Sequence, residues 1–205
     1  MITHIVSDMG GVLVDIEWTE RVSKLLNRSV PLEELHYLWV TAKSTVDFES
    51  GRTDFDQFAA SFIGEFDLNL SVATFQHEFL EIVRGPSAHC EQVLSQLRQL
   101  NYHLSLLSNT SIAHYSKLRE QYGFFDYFDE LFLSYEIGVM KPSAAIFEHI
   151  LSVLGTTADT VAFFDDGARN VEAAGQLGIQ SFRVDSPDEI MAIVQTFTPK
   201  PAVPR

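Results

Sequence analysis

Apolar residues recur in two different rhythms along this chain. The opening run Ile-Val-Ser before Asp8, and the runs His103–Leu107, Val161–Phe164 and Ile179–Val184, are short and largely apolar. Such runs predict strands buried on both faces of a parallel sheet. Between roughly Trp18 and Val83 the rhythm is helical. Val22, Leu25 and Leu26, then Leu32, Leu35, Leu38 and Trp39, fall at spacings of three and four, which place them on one side of a helix. Thr53-Asp54-Phe55-Asp56 reads as a capping box opening a helix through Phe58, Ala59 and Phe62. Phe75, Phe79 and Val83 belong to another. The stretch predicts an all-helical insertion of about four helices.

Beyond Gly85-Pro86, strands alternate with helices. Cys90, Val93, Leu94 and Leu97 line one helix, and Ile112, Tyr115 and Leu118 the next. Ile146, Phe147, Ile150, Leu151 and Leu154 line a third, stopped by Gly155, and Val171, Ala174 and Leu177 a fourth. The alternation predicts an α/β fold, a doubly wound parallel sheet joined by right-handed crossovers, with the strand tips on one edge. The expected organisation is a core of residues 1–15 and 86–197, a helical cap of residues 16–85, and a loose tail at 198–205, where three prolines fall in eight residues.

Composition narrows the class. An apolar content of 46% over 205 residues suffices for a buried core. A formal charge of -14 argues against nucleic acid or an anionic membrane as partner, because both require clustered Lys and Arg. An acidic enzyme that handles an anionic substrate must then supply local positive charge, for which a metal ion is one source. A single cysteine, Cys90, precludes an internal disulfide and suits a core thiol in a reducing compartment. The start lacks a basic region followed by a long apolar one, and no segment offers the ~18 apolar residues of a membrane span. The expected location is cytoplasmic.

Candidate chemistry gathers at the strand tips. Asp8 ends the first run and is followed by Met9-Gly10-Gly11. Ser108-Asn109 ends the second, and Asp165-Asp166-Gly167 the third. Between them, Gly138-Val139-Met140-Lys141-Pro142 brings a lone cation just ahead of a helix. Each piece has an ordinary reading: a turn residue for Asp8, helix caps for Ser108 and for Asp165-Asp166, a solvated loop charge for Lys141. Two adjacent carboxylates at a buried strand end are nevertheless costly without a cation.

With these four motifs in this order, the chain resembles the haloacid dehalogenase superfamily of aspartyl-nucleophile hydrolases over nearly all its length. It is similar to the branch with a small helical cap after the first strand, and within it to sugar-phosphate phosphatases of the glucose-1-phosphate phosphatase type. The resemblance implies a Mg²⁺-dependent phosphatase of a small phosphorylated metabolite, expected to be a sugar phosphate and processed through an aspartyl-phosphate on Asp8. Asp8 would be the nucleophile, Ser108 a donor to a phosphoryl oxygen assisted by Asn109, and Lys141 the neutralising ammonium. Asp8, Asp166 and the Gly10 carbonyl would hold the metal, with Asp165 beside it, through water or directly. Arg52, in the turn Phe48–Arg52, is a candidate substrate contact from the cap. The expected assembly is a monomer or weak homodimer.

One position departs from the pattern. Most phosphatases of the superfamily carry an acid/base aspartate where this chain has Gly10. Losing a general acid/base lowers rates about 10²–10⁴-fold. Three readings follow: a phosphatase whose leaving group departs easily, such as an anomeric oxygen; one in which Asp15 or Glu17 substitutes; or a catalytically silent phosphate-binding relative. A 2-haloacid dehalogenase shares the nucleophile, the Ser-Asn pair and the lysine but needs no metal and no paired late carboxylates. A phosphomutase depends on the acid/base residue that is absent.

Overall fold

The computed structural model describes residues 1–28 and 30–197; the expected tail at 198–205 lies outside the described residues. In chain order the elements are β1 (His4–Ser7), β2 (Val14–Ile16), α1 (Trp18–Leu26), α2 (Leu32–Thr41), α3 (Lys43–Glu49), α4 (Phe55–Glu65), α5 (Val72–Leu80), β3 (Val83–Pro86), α6 (Cys90–Gln99), β4 (His103–Ser108), α7 (Ile112–Gln121), β5 (Glu130–Leu133), α8 (Ser134–Ile137), α9 (Ala144–Leu154), β6 (Val161–Asp165), α10 (Ala168–Gln176), β7 (Gln180–Arg183) and α11 (Pro187–Val194). Five strands form one parallel sheet in the order β5-β4-β1-β6-β7. The fold is α/β, as the alternation of rhythms predicts.

Period-two alternation explains why the strand runs are apolar throughout. Ile5, Leu104, Leu106, Ala162 and Phe164 point to one face, where Val93, Leu94 and Leu97 of α6, Leu118 of α7 and Ile190 of α11 cover them. Val6, Leu107 and Phe163 point to the other, against Ile146, Phe147 and Ile150 of α9 and Ala174 of α10. Helices on both faces leave the C-terminal strand tips as the open edge of the sheet.

The helices between β2 and β3 have a core of their own. Val22, Leu25, Leu35, Trp39, Phe48, Phe58, Phe62, Phe75 and Phe79 are buried together, and each phenylalanine so buried contributes roughly 1.5–3 kcal/mol. Among the described residues this insertion has five helices, not about four. Ala42, with φ -61° and ψ 126°, is extended and divides α2 from α3. The capping box falls one residue later than expected, between Asp54 and Gln57.

Val83, read as part of the last insertion helix, opens β3 instead, because α5 ends at Leu80. Four further local features depart from the sequence reading. β2 and β3 pair antiparallel; these strands are too short, and too rich in Asp, Gly and Pro, to show a period. β5 was hidden because its apolar part is three residues preceded by acids. On α7, His114 is buried and Ile112 is 43% exposed. Gly138–Pro142 is a loop after α8, not a strand tip. No helix is long and apolar enough to cross a membrane among the described residues.

Candidate active site

The sheet register brings the dispersed motifs together. β1 lies between β4 and β6, so Asp8, Ser108 and Asp165 stand at the tips of three neighbouring strands. Asp8 continues the pairing by donating its N–H to the Phe164 carbonyl at 2.8 Å. It is buried, as are Ser108, Lys141 and Asp165.

Lys141 reaches into this edge from its loop. Its Nζ lies 2.8 Å from Asp8 Oδ1 and 2.6 Å from Asp165 Oδ2, and donates to the Leu107 carbonyl at 3.0 Å. All three ammonium hydrogens therefore have acceptors. Burial disfavours the charge, but Asp165 and Asp8 outweigh it and hold Lys141 above the ordinary lysine range. Asn109 fixes the loop: its Nδ2 donates to the Lys141 carbonyl at 2.9 Å, and its Oδ1 accepts the Lys141 N–H at 2.8 Å.

The two late aspartates differ in their surroundings. Asp165 Oδ1 accepts from the Gly167 N–H at 2.8 Å and from Asn170 Nδ2 at 2.9 Å, while Oδ2 takes Lys141. Its oxygens are well supplied with donors. Asp166 is half-buried, and its carboxylate overlies Gly11. Gly11 has φ +78°, and a Cβ there would come 2.5 Å from Asp166 Oδ2, so both backbone and space require glycine.

Carboxylate oxygens of Asp8, Asp165 and Asp166 all lie within 4.8 Å of one another. Burial pushes Asp8 up to about 7, Lys141 opposes the rise, and Asp165 and Asp166 add to it. Burial and Asp165 likewise raise Asp166. Three clustered carboxylates against one ammonium leave uncompensated negative charge. An all-oxygen donor set of this kind suits a hard divalent cation such as Mg²⁺.

Ser108 Oγ makes one long contact, 3.5 Å to the Asn109 carbonyl, so its hydroxyl can turn toward an incoming acceptor. Gly10 sits under Ile16: a Cβ there would meet Ile16 Cγ2 at 3.5 Å, an ordinary contact. The structure does not bring Arg52 into this group. Its guanidinium pairs with Asp47 at 3.0 Å on the exposed side of the turn. Neither linker acid is free. Asp15 Oδ1 accepts from Ser87 Oγ at 2.6 Å. Glu17 pairs with Arg84 and with Arg21, and the hydrogen bond from Arg84 first of all holds its carboxyl below the usual range, which opposes a role as proton donor near neutrality.

Two neighbours were not singled out from the sequence. Asn170, in the first turn of α10, points back to Asp165; an amide soon after an acid pair at a helix start was the available signal. Ser134, at the tip of β5 beside Ser108, links the Thr110 backbone to the Glu49 carbonyl. Without β5 in view, nothing marked it.

Known proteins resemble this chain over most of its length. Residues 2–178 match the family described as haloacid dehalogenase-like hydrolases. The chain is 26% identical over 197 residues to a D-ribitol-5-phosphate phosphatase of Bacteroides thetaiotaomicron, covering 91% of this chain and 93% of that one. It is 28% identical over 174 residues to a sesquiterpene phosphatase of Aspergillus oryzae, covering 84% of each. Its fold is similar, with a TM-score of 0.75 and 23% identity over 89% of this chain and 94% of the other, to that of a HAD family enzyme of Bacteroides thetaiotaomicron crystallised with magnesium and inorganic phosphate.

Proposed function

The chain belongs to the haloacid dehalogenase-like hydrolase family, and on that premise we propose that it is a phosphoric monoester hydrolase acting on a small phosphorylated metabolite through a phosphoryl group carried on Asp8. The observation that carries this reading is the convergence of Asp8, Asp165 and Asp166 around Lys141 at one sheet edge. Asp8, Asp166 and the Gly10 carbonyl would hold Mg²⁺, with Asp165 behind them. The ion supplies charge compensation for phosphoryl oxygens and lets a carboxylate approach a phosphate dianion.

This chain's residues account for the rest. Asp8 attacks phosphorus in line with the ester oxygen; the new O–P bond forms as the P–O bond to the leaving group breaks, and the departing oxygen takes the electron pair. Ser108 donates its hydroxyl to a phosphoryl oxygen, and Lys141 holds one Asp8 oxygen so that the other faces phosphorus. With glycine at position 10, the departing oxygen draws its proton from water. Water then cleaves the aspartyl-phosphate and releases inorganic phosphate. A leaving group of low basicity suits such a site. The paired late carboxylates, which a dehalogenase does not need, favour phosphate over halide chemistry. A cytoplasmic location fits the single cysteine, and the acidic composition disfavours nucleic acid or an anionic membrane as partner.

Release of phosphate from p-nitrophenyl phosphate with Mg²⁺, abolished by Asp8→Asn, is the expected result. Binding of phosphate without any release would favour the silent relative that Gly10 suggests.

A further inference from the structure

The relatives matched by sequence act on chemically opposite esters, a polyol phosphate and a terpenoid phosphate, so the leaving group this chain accepts must be read from its own insertion. Glu49 closes α3. Its carbonyl accepts from Ser134 Oγ at 2.7 Å, and that same Oγ lies 3.0 Å from the Thr110 N–H, two residues past Ser108. Ser134 follows Leu133, the register partner of Ser108. Gly51, two residues beyond Glu49, has φ +69°, and a Cβ there would strike the Tyr135 carbonyl at 2.0 Å. The end of α3 is thus seated directly on the tips of β4 and β5, beside the hydroxyl proposed to hold the phosphoryl group.

At this seat Glu49 differs from its neighbours. The other acid of α3, Asp47, is paired with Lys43 and Arg52. Glu49 has no cation among the described residues: Trp39 Nε1 donates to its Oε1 at 3.2 Å, and Oε2 accepts nothing. Thr45, one turn earlier on the same helix face, buries a hydroxyl that has no partner. Glu49 is half-buried, and a carboxylate partly withdrawn from water without a cation is costly unless something else answers it. Burial pushes the Glu49 carboxyl up to about 7, so near neutrality it is partly protonated and can stand near a phosphate ester without full repulsion.

We propose that Glu49 is the residue through which the helical insertion reads the leaving group, hydrogen-bonding a hydroxyl of a polyol or sugar phosphate. This rests on the phosphatase reading above and names its substrate class. An ester with a purely hydrocarbon leaving group would leave Glu49 unanswered, which disfavours the terpenoid alternative.

The test separates the two. In the Asp8→Asn protein with Mg²⁺, Glu49→Ala should weaken calorimetric binding of D-ribitol 5-phosphate roughly 10-fold or more while changing inorganic phosphate binding less than about 2-fold. Glu49→Gln, which keeps shape and fold, should fall between. In the protein with Asp8 intact, Glu49→Ala should lower kcat/KM for polyol phosphates by a similar factor and hardly change that for p-nitrophenyl phosphate. Equal losses on all ligands, or none, overturn the role of Glu49 and leave the phosphatase reading standing. Glu49-dependent binding of the polyol phosphate without release of phosphate from any ester overturns the phosphatase reading instead.

Discussion

The Asn109 side chain clasps the Lys141 peptide on both sides, donating to its carbonyl at 2.9 Å and accepting its N–H at 2.8 Å. A residue first read as a phosphate contact is therefore also the clamp that aims the ammonium at Asp8. Asn109→Ala removes both bonds and leaves buried backbone groups short of partners, at about 1–3 kcal/mol. The expected outcome is a lower thermal midpoint and a fall in kcat larger than the change in KM for an aryl phosphate. Unchanged kcat would dissociate the clamp from catalysis.

Lys141 is the ammonium set among three clustered carboxylates. Lys141→Met leaves them buried and uncompensated, and breaking a buried pair costs about 3–5 kcal/mol. Chemical unfolding with and without Mg²⁺ should show the variant strongly destabilised in the absence of the ion and partly restored with it. A loss of the same size in both conditions would argue that charge is not the cause.

Magnesium should stabilise the wild-type protein as any ligand of the folded state does, by about 2.7 kcal/mol at a hundredfold excess over Kd. Asp166→Asn should erase most of that increment, because Asp165 already has three donors whereas Asp166 lies open over Gly11. Thermal scans with Mg²⁺ and with a chelator measure both. An Asp166→Asn protein that responds to Mg²⁺ like the wild type would remove Asp166 from the ligand set.

Gly10 lies under Ile16 without positive φ, and a Cβ there would make only ordinary contacts. Gly10→Asp should therefore fold and supply a proton to the departing oxygen, raising kcat on an alkyl phosphate by up to about 10²-fold and on an aryl phosphate much less. The ratio of the two rates is the readout. Equal gains, or none, would show that protonation of the leaving group does not limit turnover.

His114 is buried against Phe79, with ring centroids 4.1 Å apart and Nε2 donating to the Phe79 carbonyl at 2.8 Å. Burial lowers its pKa from 6.5 to about 4. The unfolded chain then binds the proton more readily, so this contribution to stability is complete above about pH 6.5 and declines as pH falls toward 4, by at most about 3 kcal/mol. His114→Gln should flatten the stability profile over that window relative to wild type. Parallel profiles would refute the assignment.

The strand runs, most helix faces and the three strand-tip motifs were legible because each is carried by consecutive or periodic residues. Cys90, Val93, Leu94 and Leu97 are buried along one face as their spacing predicts. β2 and β3 were not legible, since a three- or four-residue ribbon containing Asp15, Gly85 and Pro86 has no rhythm. His114 was passed over for Ile112 because a histidine does not score as apolar, though a neutral imidazole with one hydrogen bond packs well. Glu49 and Ser134 lie 85 residues apart in sequence and meet only through the tertiary fold. Arg52 was favoured over Glu49 in the same turn because a cation suits an anionic substrate, but Asp47 occupies it.

Ile16 and Val83 are register partners across the β2–β3 ribbon, so the polypeptide leaves the sheet and returns to it through adjacent doorways. Everything between them, some 66 residues, is a detour whose two ends are about one strand spacing apart. A change in the length or shape of that detour can accordingly leave the position of Asp8 untouched, because the two ends remain tied to each other across the ribbon.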